Sequence, residues 1–276
     1  MYYHSILILI VLLISVNGLV LSMSKYLGYY HYYYHYYYHY YHSVITYYIG
    51  TKPVFVAGGS SGVGLCLVKQ LSSLGTPVHA LVRRQEAFDE LKKLPGVKPF
   101  LGDAFDEAAV QSCMEGCVAA VTTLGGKPDA SGKRVDYFGN SNVIEQAGIL
   151  GCERIVLVTS LGCGSTKEAV TPQVYQVLQE ALEAKDKAER DLRMYTNLDW
   201  TIIRPGGLKS EPSTGKAIVS EDIMAAGVIN REDVAKLIID CLKSTGPATR
   251  KELTAIDPSQ QSSYNSASLV TPYKLL

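Results

Sequence analysis

Between residues 53 and 71 the chain reads PVFVAGGSSGVGLCLVKQL, and the small residues at its centre could hold a phosphate. Gly58 can take the backbone dihedrals that a sharp turn needs. Gly62 lets main chain approach a pyrophosphate, and Gly64 lets a following helix pack closely on the strand before it. Ser60, Ser61 and Val63 complete the turn. It opens a helix whose first amides are unpaired and whose dipole is positive, so a diphosphate is the natural occupant. Further on, Arg83–Arg84 close a second apolar run. In a dinucleotide-binding fold that position faces the adenosine ribose, where an acid prefers a free 2′-hydroxyl and arginine suits a 2′-phosphate. Two arginines and no acid predict NADP(H) as the cofactor. Each guanidinium–phosphate hydrogen bond is worth roughly 1.5–3 kcal/mol, enough to set that preference.

The elements that must position these groups follow from hydrophobic spacing. Val54, Phe55, Val56 and Ala57 form a short apolar strand, and Val63, Leu67, Val68 and Leu71 then repeat at helical intervals. A second strand covers 77–82, a helix 86–93 and a third strand 97–101, ending at Gly102–Asp103. Asp106 is a good N-cap for the next helix. Residues 117–124 (CVAAVTTL) read as a buried parallel strand ending at Gly125–Gly126, before a long helix over 135–150. Strands over 154–160 and 200–204, a helix over 231–242 and a strand over 252–256 complete the series. This alternation predicts an α/β fold, a Rossmann-like doubly wound parallel sheet forming one domain over 51–257. Residues 208–227 read as loop with a short strand at 216–220. The tail 258–276 is polar and without period, and is expected to be disordered.

The first fifth of the chain is different in kind. Of the 20 tyrosines, 15 lie in the first 50 residues, and Lys25 is the only Asp, Glu, Lys or Arg there. Residues 6–16 (ILILIVLLISV) have the length of a signal-peptide core, without a basic segment before them. The tract that follows places His31, His35, His39 and His42 at helical spacing. It has no carboxylate or cysteine to complete a metal shell, and reads as low-complexity sequence. Residues 1–50 are therefore expected to be a targeting leader or an N-terminal extension, with Met23 a plausible alternative start and membrane contact confined to it. A formal net charge of zero argues against a nucleic-acid partner. Cys66, Cys113, Cys117, Cys152, Cys163 and Cys241 show neither metal-ligand nor disulfide spacing. They read as buried free thiols in a reducing compartment, plastid stroma or cytosol.

Taken together, GGSSGVG, LVRR, Gly102–Asp103, VDYFGNSNVIEQA, RIVLVTSLG and KDKAERDLRMYTNLDWTIIRPGGL resemble the atypical short-chain dehydrogenase/reductase family, in its NmrA-like NAD(P)H-binding branch. The resemblance runs from about residue 52 to residue 257. It implies that Gly58, Gly62 and Gly64 cradle the pyrophosphate, although Ser61 stands where the atypical pattern has its middle glycine. It implies that Arg83, with Arg84 beside it, takes the 2′-phosphate, and that Asp103 and Ala104 meet the adenine. Leu124 and Gly125 would line the ribose, Ser160 would stand near the nicotinamide, and Pro205 and Gly206, between Arg204 and Gly207, would wall the ring. Lys185 matches the lysine of the family's YxxxK catalytic pair. In this family the region after the sixth strand covers the substrate.

The chain departs from the family at the tyrosine of that pair, which is Ala181. The tyrosine is the family's general acid, and alanine donates no proton. Tyr175, six positions earlier, could substitute only if a flexible loop brought it to the site. An acceptor that takes hydride and draws its proton from water, such as a flavin, quinone or conjugated tetrapyrrole, suits these residues better than a simple ketone. The expectation is an NADPH-dependent reductase of a conjugated acceptor, with Lys185 and Ser160 positioning cofactor and substrate. The alternative is a non-catalytic NADP(H)-binding sensor or docking factor with a protein partner, as in the NADP-binding subunit of the chloroplast import machinery. An epimerase would need the missing tyrosine, and a serine hydrolase lacks its GxSxG elbow.

Overall fold

The four residues of the first strand, β1 (Val54–Ala57), are all buried. Neighbouring side chains of a strand face opposite ways. Val54 and Val56 accordingly join one hydrophobic cluster, with Leu67, Val68, Leu71 and Ile238, while Phe55 and Ala57 join a second, with Val110, Val143, Ile144 and Leu192. These clusters are the two faces of one sheet. The computed structural model describes residues 50–195, 197–244, 246–260 and 270–275, all within one compact unit. The apolar leader and the Tyr/His tract lie outside them.

In chain order β1 is followed by α1 (Gly62–Ser73), β2 (Val78–Val82), α2 (Gln85–Leu91), β3 (Val97–Leu101), α3 (Glu107–Met114) and β4 (Ala119–Thr122). Then come α4 (Phe138–Ile149), β5 (Arg154–Val158), a 3-10 turn (Gly164–Ala169), α5 (Pro172–Met194), β6 (Asp199–Pro205) and β7 (Gly207–Lys209). The last elements are β8 (Ile218–Ser220), β9 (Val228–Asn230), α6 (Arg231–Lys243) and β10 (Lys251–Ile256). The sheet order is β3-β2-β1-β4-β5-β6-β10-β8. Every pairing is parallel except that of β8 with β10. This is the Rossmann-like architecture that the alternation predicts. The order reverses between β1 and β4, and the crevice beyond their carboxyl ends is where such folds bind ligands. A separate parallel pair, β7 with β9, lies outside the main sheet.

Local chemistry explains most boundaries. Asp106 caps α3 by accepting from Ala108 and Ala109 N–H, as its side chain suggests. Thr171 accepts from Val174 N–H and Pro172 opens α5, which then runs for 23 residues. The strand expected over 117–124 stops at Thr122, and the helix expected from 135 starts at Phe138, which leaves a longer loop between them. The expectation of a disordered tail is corrected at both of its described ends. Ser259 N–H and Oγ both donate to Asp257 Oδ1. Tyr273 N–H donates to Val219 O at 2.7 Å, its hydroxyl donates to Pro247 O at 2.6 Å, and Leu275 is buried in the core. The tail's described anchors, Tyr273 and Leu275, are single contacts too few to make a periodic signal.

A Cβ at Gly64 would lie 2.2 Å from Gly58 O and 2.6 Å from Thr123 Oγ1, so main chain as well as a hydroxyl stands in the way. Gly64→Ala is expected to destabilise the fold by about 1–3 kcal/mol, read as a lower denaturant midpoint. His79, on β2, is half-buried with Nδ1 2.8 Å from Cys113 O. Burial holds its pKa below the usual value and Lys98 adds to this, while the Cys113 carbonyl works the other way. The unfolded chain takes up a proton there as pH falls through about 6.5 and the folded chain resists, so the site contributes stability that is lost on acidification. Unfolding measured between about pH 7.5 and about pH 5 should show His79→Gln losing less stability than the wild type. Equal losses would overturn this reading.

Candidate active site

The switch point between β1 and β4 opens into a cleft of about 460 Å³. It is lined by Gly58, Ser60, Ser61, Gly62 and Val63 from the glycine-rich turn, by Arg83 beyond β2, and by Asp103 and Ala104 beyond β3. Leu124 and Gly125 beyond β4, Ser160 beyond β5 and Lys185 on α5 complete the sequence-derived set that the fold brings together. Four other candidates stand apart. Gly64 is buried at the contact of α1 with the turn, and Arg84 is an exposed residue at the N-cap of α2. Pro205 is buried in β6, and Gly206 lets its backbone cross that of Gly227, whose carbonyl would be 2.3 Å from a Cβ.

Tyr175 stands apart as well, as a packing residue and not as the loop-borne substitute for the missing phenol. It is in the first turn of α5 rather than on a flexible loop, its ring lies under Lys167 Nζ at 4.4 Å, and it does not line the cleft. Ala181 does line it. Among the described residues lining the cleft there is no tyrosine, histidine or cysteine. The thiols are no substitute. Five of the six are buried, and burial, with Glu189 beside it, pushes Cys163 up to about 12.

The turn suits a dinucleotide diphosphate. Gly58 and Gly62 both have positive φ, 83° and 55°, which favours glycine. The N-cap of α1, Ser61, makes no side-chain capping bond, and no acid occupies the first turn. A side chain at Gly62 would meet only Arg231, at 3.7–3.9 Å, so the turn keeps an open side over the helix N-terminus. Arg83 is exposed, with Nη1 3.8 Å from Asp103 Oδ2. Asp103 Oδ1 accepts from Phe105 N–H at 3.0 Å, which holds that carboxylate in place.

At the other end of the cleft a buried carboxylate organises the groups around Lys185. Lys185 Nζ donates to Leu124 O at 2.8 Å and lies 3.3 Å from Asp136 Oδ1. Asp136 Oδ2 accepts from Gly126 N–H at 3.2 Å and faces Arg134 Nε at 3.5 Å, while Arg134 Nη2 donates to Gly126 O. One aspartate thus fixes the lysine and the turn after β4 together. A side chain at Gly125 would crowd this pair, since a Cβ would meet Lys185 Nζ at 3.1 Å and Asp136 Oδ1 at 3.2 Å. Ser160 Oγ donates to Leu161 O at 3.0 Å, leaving its lone pairs to accept. Asp136 and Arg134 were missed in sequence reasoning although Asp136 lies in the VDYFGN run. Arg231 was missed with no local signal at all.

Behind Ser160 lies a buried ionic network. Glu189, fully buried on α5, accepts from Thr159 Oγ1 at 2.7 Å, Arg204 Nε at 3.0 Å and Arg204 Nη2 at 2.6 Å. Arg193 Nη2 adds a bond at 2.9 Å, and Glu252 bridges Arg193 and Arg204 at 2.6 Å each. Burial works against the Glu252 charge, yet the bonds from Arg193 and the field of Arg204 hold its pKa below the usual value. The network sets the end of β5, where Thr159 and Ser160 enter the cleft.

Comparison with known proteins agrees with this geometry. Residues 58–245 match the NAD(P)H-binding family, and the chain belongs to that family, within the atypical short-chain dehydrogenase/reductases. An uncharacterized chloroplastic protein of Arabidopsis thaliana is 32% identical over 206 residues, 70% of this chain and 73% of that protein. Protein TIC 62 of Pisum sativum, also chloroplastic, is 26% identical over 212 residues, 67% of this chain and 39% of that protein. Among solved structures, the anaerobilin reductase ChuY from Escherichia coli O157:H7 superposes with a TM-score of 0.68 at 30% identity. That match covers 76% of this chain and 99% of that one.

Removing one partner of a buried ion pair leaves an uncompensated charge. Glu189→Gln is expected to cost about 3–5 kcal/mol in denaturant unfolding. A change within experimental error would mean that Glu252 alone suffices for Arg204.

Proposed function

We propose that this protein is an NADPH-dependent reductase that delivers hydride to a conjugated acceptor. The observation that carries this reading is the cleft itself, where Arg83 is exposed at the adenosine end, Lys185 is pinned at the other, and Ala181 takes the place of a phenol. When bound, a reduced nicotinamide supplies the hydride. The chain's own groups bind and orient. The α1 turn holds the diphosphate, Arg83 the 2′-phosphate, and Lys185 and Ser160 the ribose and substrate side. No side chain in the Ala181 position donates a proton, which favours an acceptor protonated from water after hydride arrives. The 30% identical relative known as an anaerobilin reductase supports an extended conjugated substrate.

The second reading, a non-catalytic NADP(H)-binding sensor or docking factor, is favoured by Ala181 and by the likeness to TIC 62. Chloroplastic relatives favour a plastid location under either reading, with the cytoplasm as the alternative.

Fluorescence titration with NADPH and NADH, followed by NADPH oxidation with flavin, quinone and tetrapyrrole acceptors, tests both. Tight preference for NADPH with turnover of one acceptor supports the reductase; tight binding without turnover supports the sensor or docking role. Arg83→Ala should weaken NADPH about tenfold or more and leave NADH unchanged, as the loss of a charged hydrogen bond predicts. Equal weakening of both nucleotides would remove the argument for a 2′-phosphate.

A further inference from the structure

Arg231 is the first residue of α6 and follows β9 directly. Because β9 pairs with β7, with Asn230 opposite Lys209, the start of α6 is tied to the segment over 207–210 at the mouth of the cleft. The helix itself lies beside α1, where Gln70 Nε2 donates to Glu232 O at 2.9 Å. This placement carries the Arg231 side chain over the glycine-rich turn, with Nε 3.7 Å from the position a Cβ of Gly62 would take. Its Nη1 donates to Ser210 Oγ at 2.7 Å and to Leu208 O at 3.5 Å.

The charges make this arrangement informative. Gly62 opens α1, so a guanidinium faces the positive end of a helix that has no side-chain cap and no acid in its first turn. Among the described residues no carboxylate forms an ion pair with Arg231. The adjacent Glu232 is turned to Ser213 N–H, from which it accepts at 2.9 Å. Two positive ends thus lie next to one another at the glycine-rich turn, an arrangement that a bound anion touching both turns from repulsive to attractive. The hydrogen bonds to 208 and 210 use Nη1 alone, so Nε and Nη2 remain as donors.

We propose that Arg231 is a positioning residue that holds the cofactor diphosphate against the α1 turn and, through the same guanidinium, fixes the strap at 207–210. Loading of the cofactor thereby orders the segment that includes Leu208, a residue lining the cleft and 41% exposed. The inference rests on the reading of the cleft as an NADP(H) site. It adds a link from the phosphate end to the substrate side, with cofactor bound before acceptor as the consequence.

The test uses the full chain and two ligands, NADPH and adenosine 2′-monophosphate, which carries the 2′-phosphate without the diphosphate. Arg231→Ala should weaken NADPH about tenfold or more while leaving the 2′-monophosphate unchanged. Limited trypsin digestion read by mass spectrometry gives a second measure: NADPH should slow cleavage after Lys209 in the wild type and not in Arg231→Ala. Ser210→Ala, which spares the cation, should lose that protection with a smaller change in affinity. A wild type that binds neither NADPH nor NADH would overturn the function reading and this inference with it. A wild type that binds NADPH beside an Arg231→Ala variant of equal affinity would overturn the inference alone, as would loss of both ligands together. Weakened affinity with protection retained would overturn the link to the strap.

Discussion

The close approach of Gly64 to the carbonyl of Gly58, which leaves no room for a Cβ, constrains the elements built around it. With the carbonyl 2.2 Å from where a Cβ would stand, α1 sits on the end of β1 as closely as backbone allows. That closeness brings the N-terminus of α1 to the place where the strand order reverses, and Thr123 at the end of β4 closes the same contact from the other side. The hydrophobic faces of β1 then do the rest. Val54 and Val56 bind α1 and α6 on one side, and Phe55 and Ala57 bind α3, α4 and α5 on the other. The open turn, the neighbouring strand ends and the cleft follow from one pair of glycines.

Two buried acids set the far half of the cleft by different means. Asp136 acts locally, since a single carboxylate orients Lys185 and pins the turn at Gly126. Glu189 acts from behind, joining α5, β5 and β6 through Thr159, Arg193 and Arg204. Burying so many charges is costly, and their mutual attraction offsets the cost only because nearly every donor and acceptor is matched. The result is a lysine whose direction is imposed from several sides, next to a position where the family's phenol is absent. Lys185 is held in place beside Ala181, where the cleft has no phenol.

Much of this was legible in the chain itself. Alternating apolar runs and helical spacing place nearly every strand and helix, because burial on both faces of a parallel sheet demands uninterrupted apolar strands. Gly58, Gly62 and Gly64 are readable because backbone conformation is a local property, and Arg83 because it ends a strand. Tyr175 was harder. Its distance from Lys185 along the chain is short, yet Thr171 and Pro172 begin a continuous helix and turn the ring toward Lys167. The tail was misread for a related reason, since Tyr273 and Leu275 anchor through single contacts that no periodicity announces.

The sequence by itself therefore determined the fold class, the glycine-rich turn after the first strand, the arginine-tipped second strand and the absence of a tyrosine at Ala181. Each of these depends on residues close together in the chain, where propensity and spacing act directly. Only the tertiary structure decided that Asp136 holds Lys185, that Glu189 underlies Thr159, and that Arg231 reaches Gly62. These pairs are distant in sequence and meet because sheet order and helix packing bring them together. Long-range electrostatic partnership leaves no mark on local composition, so the charges could be counted in the chain but matched only in the fold.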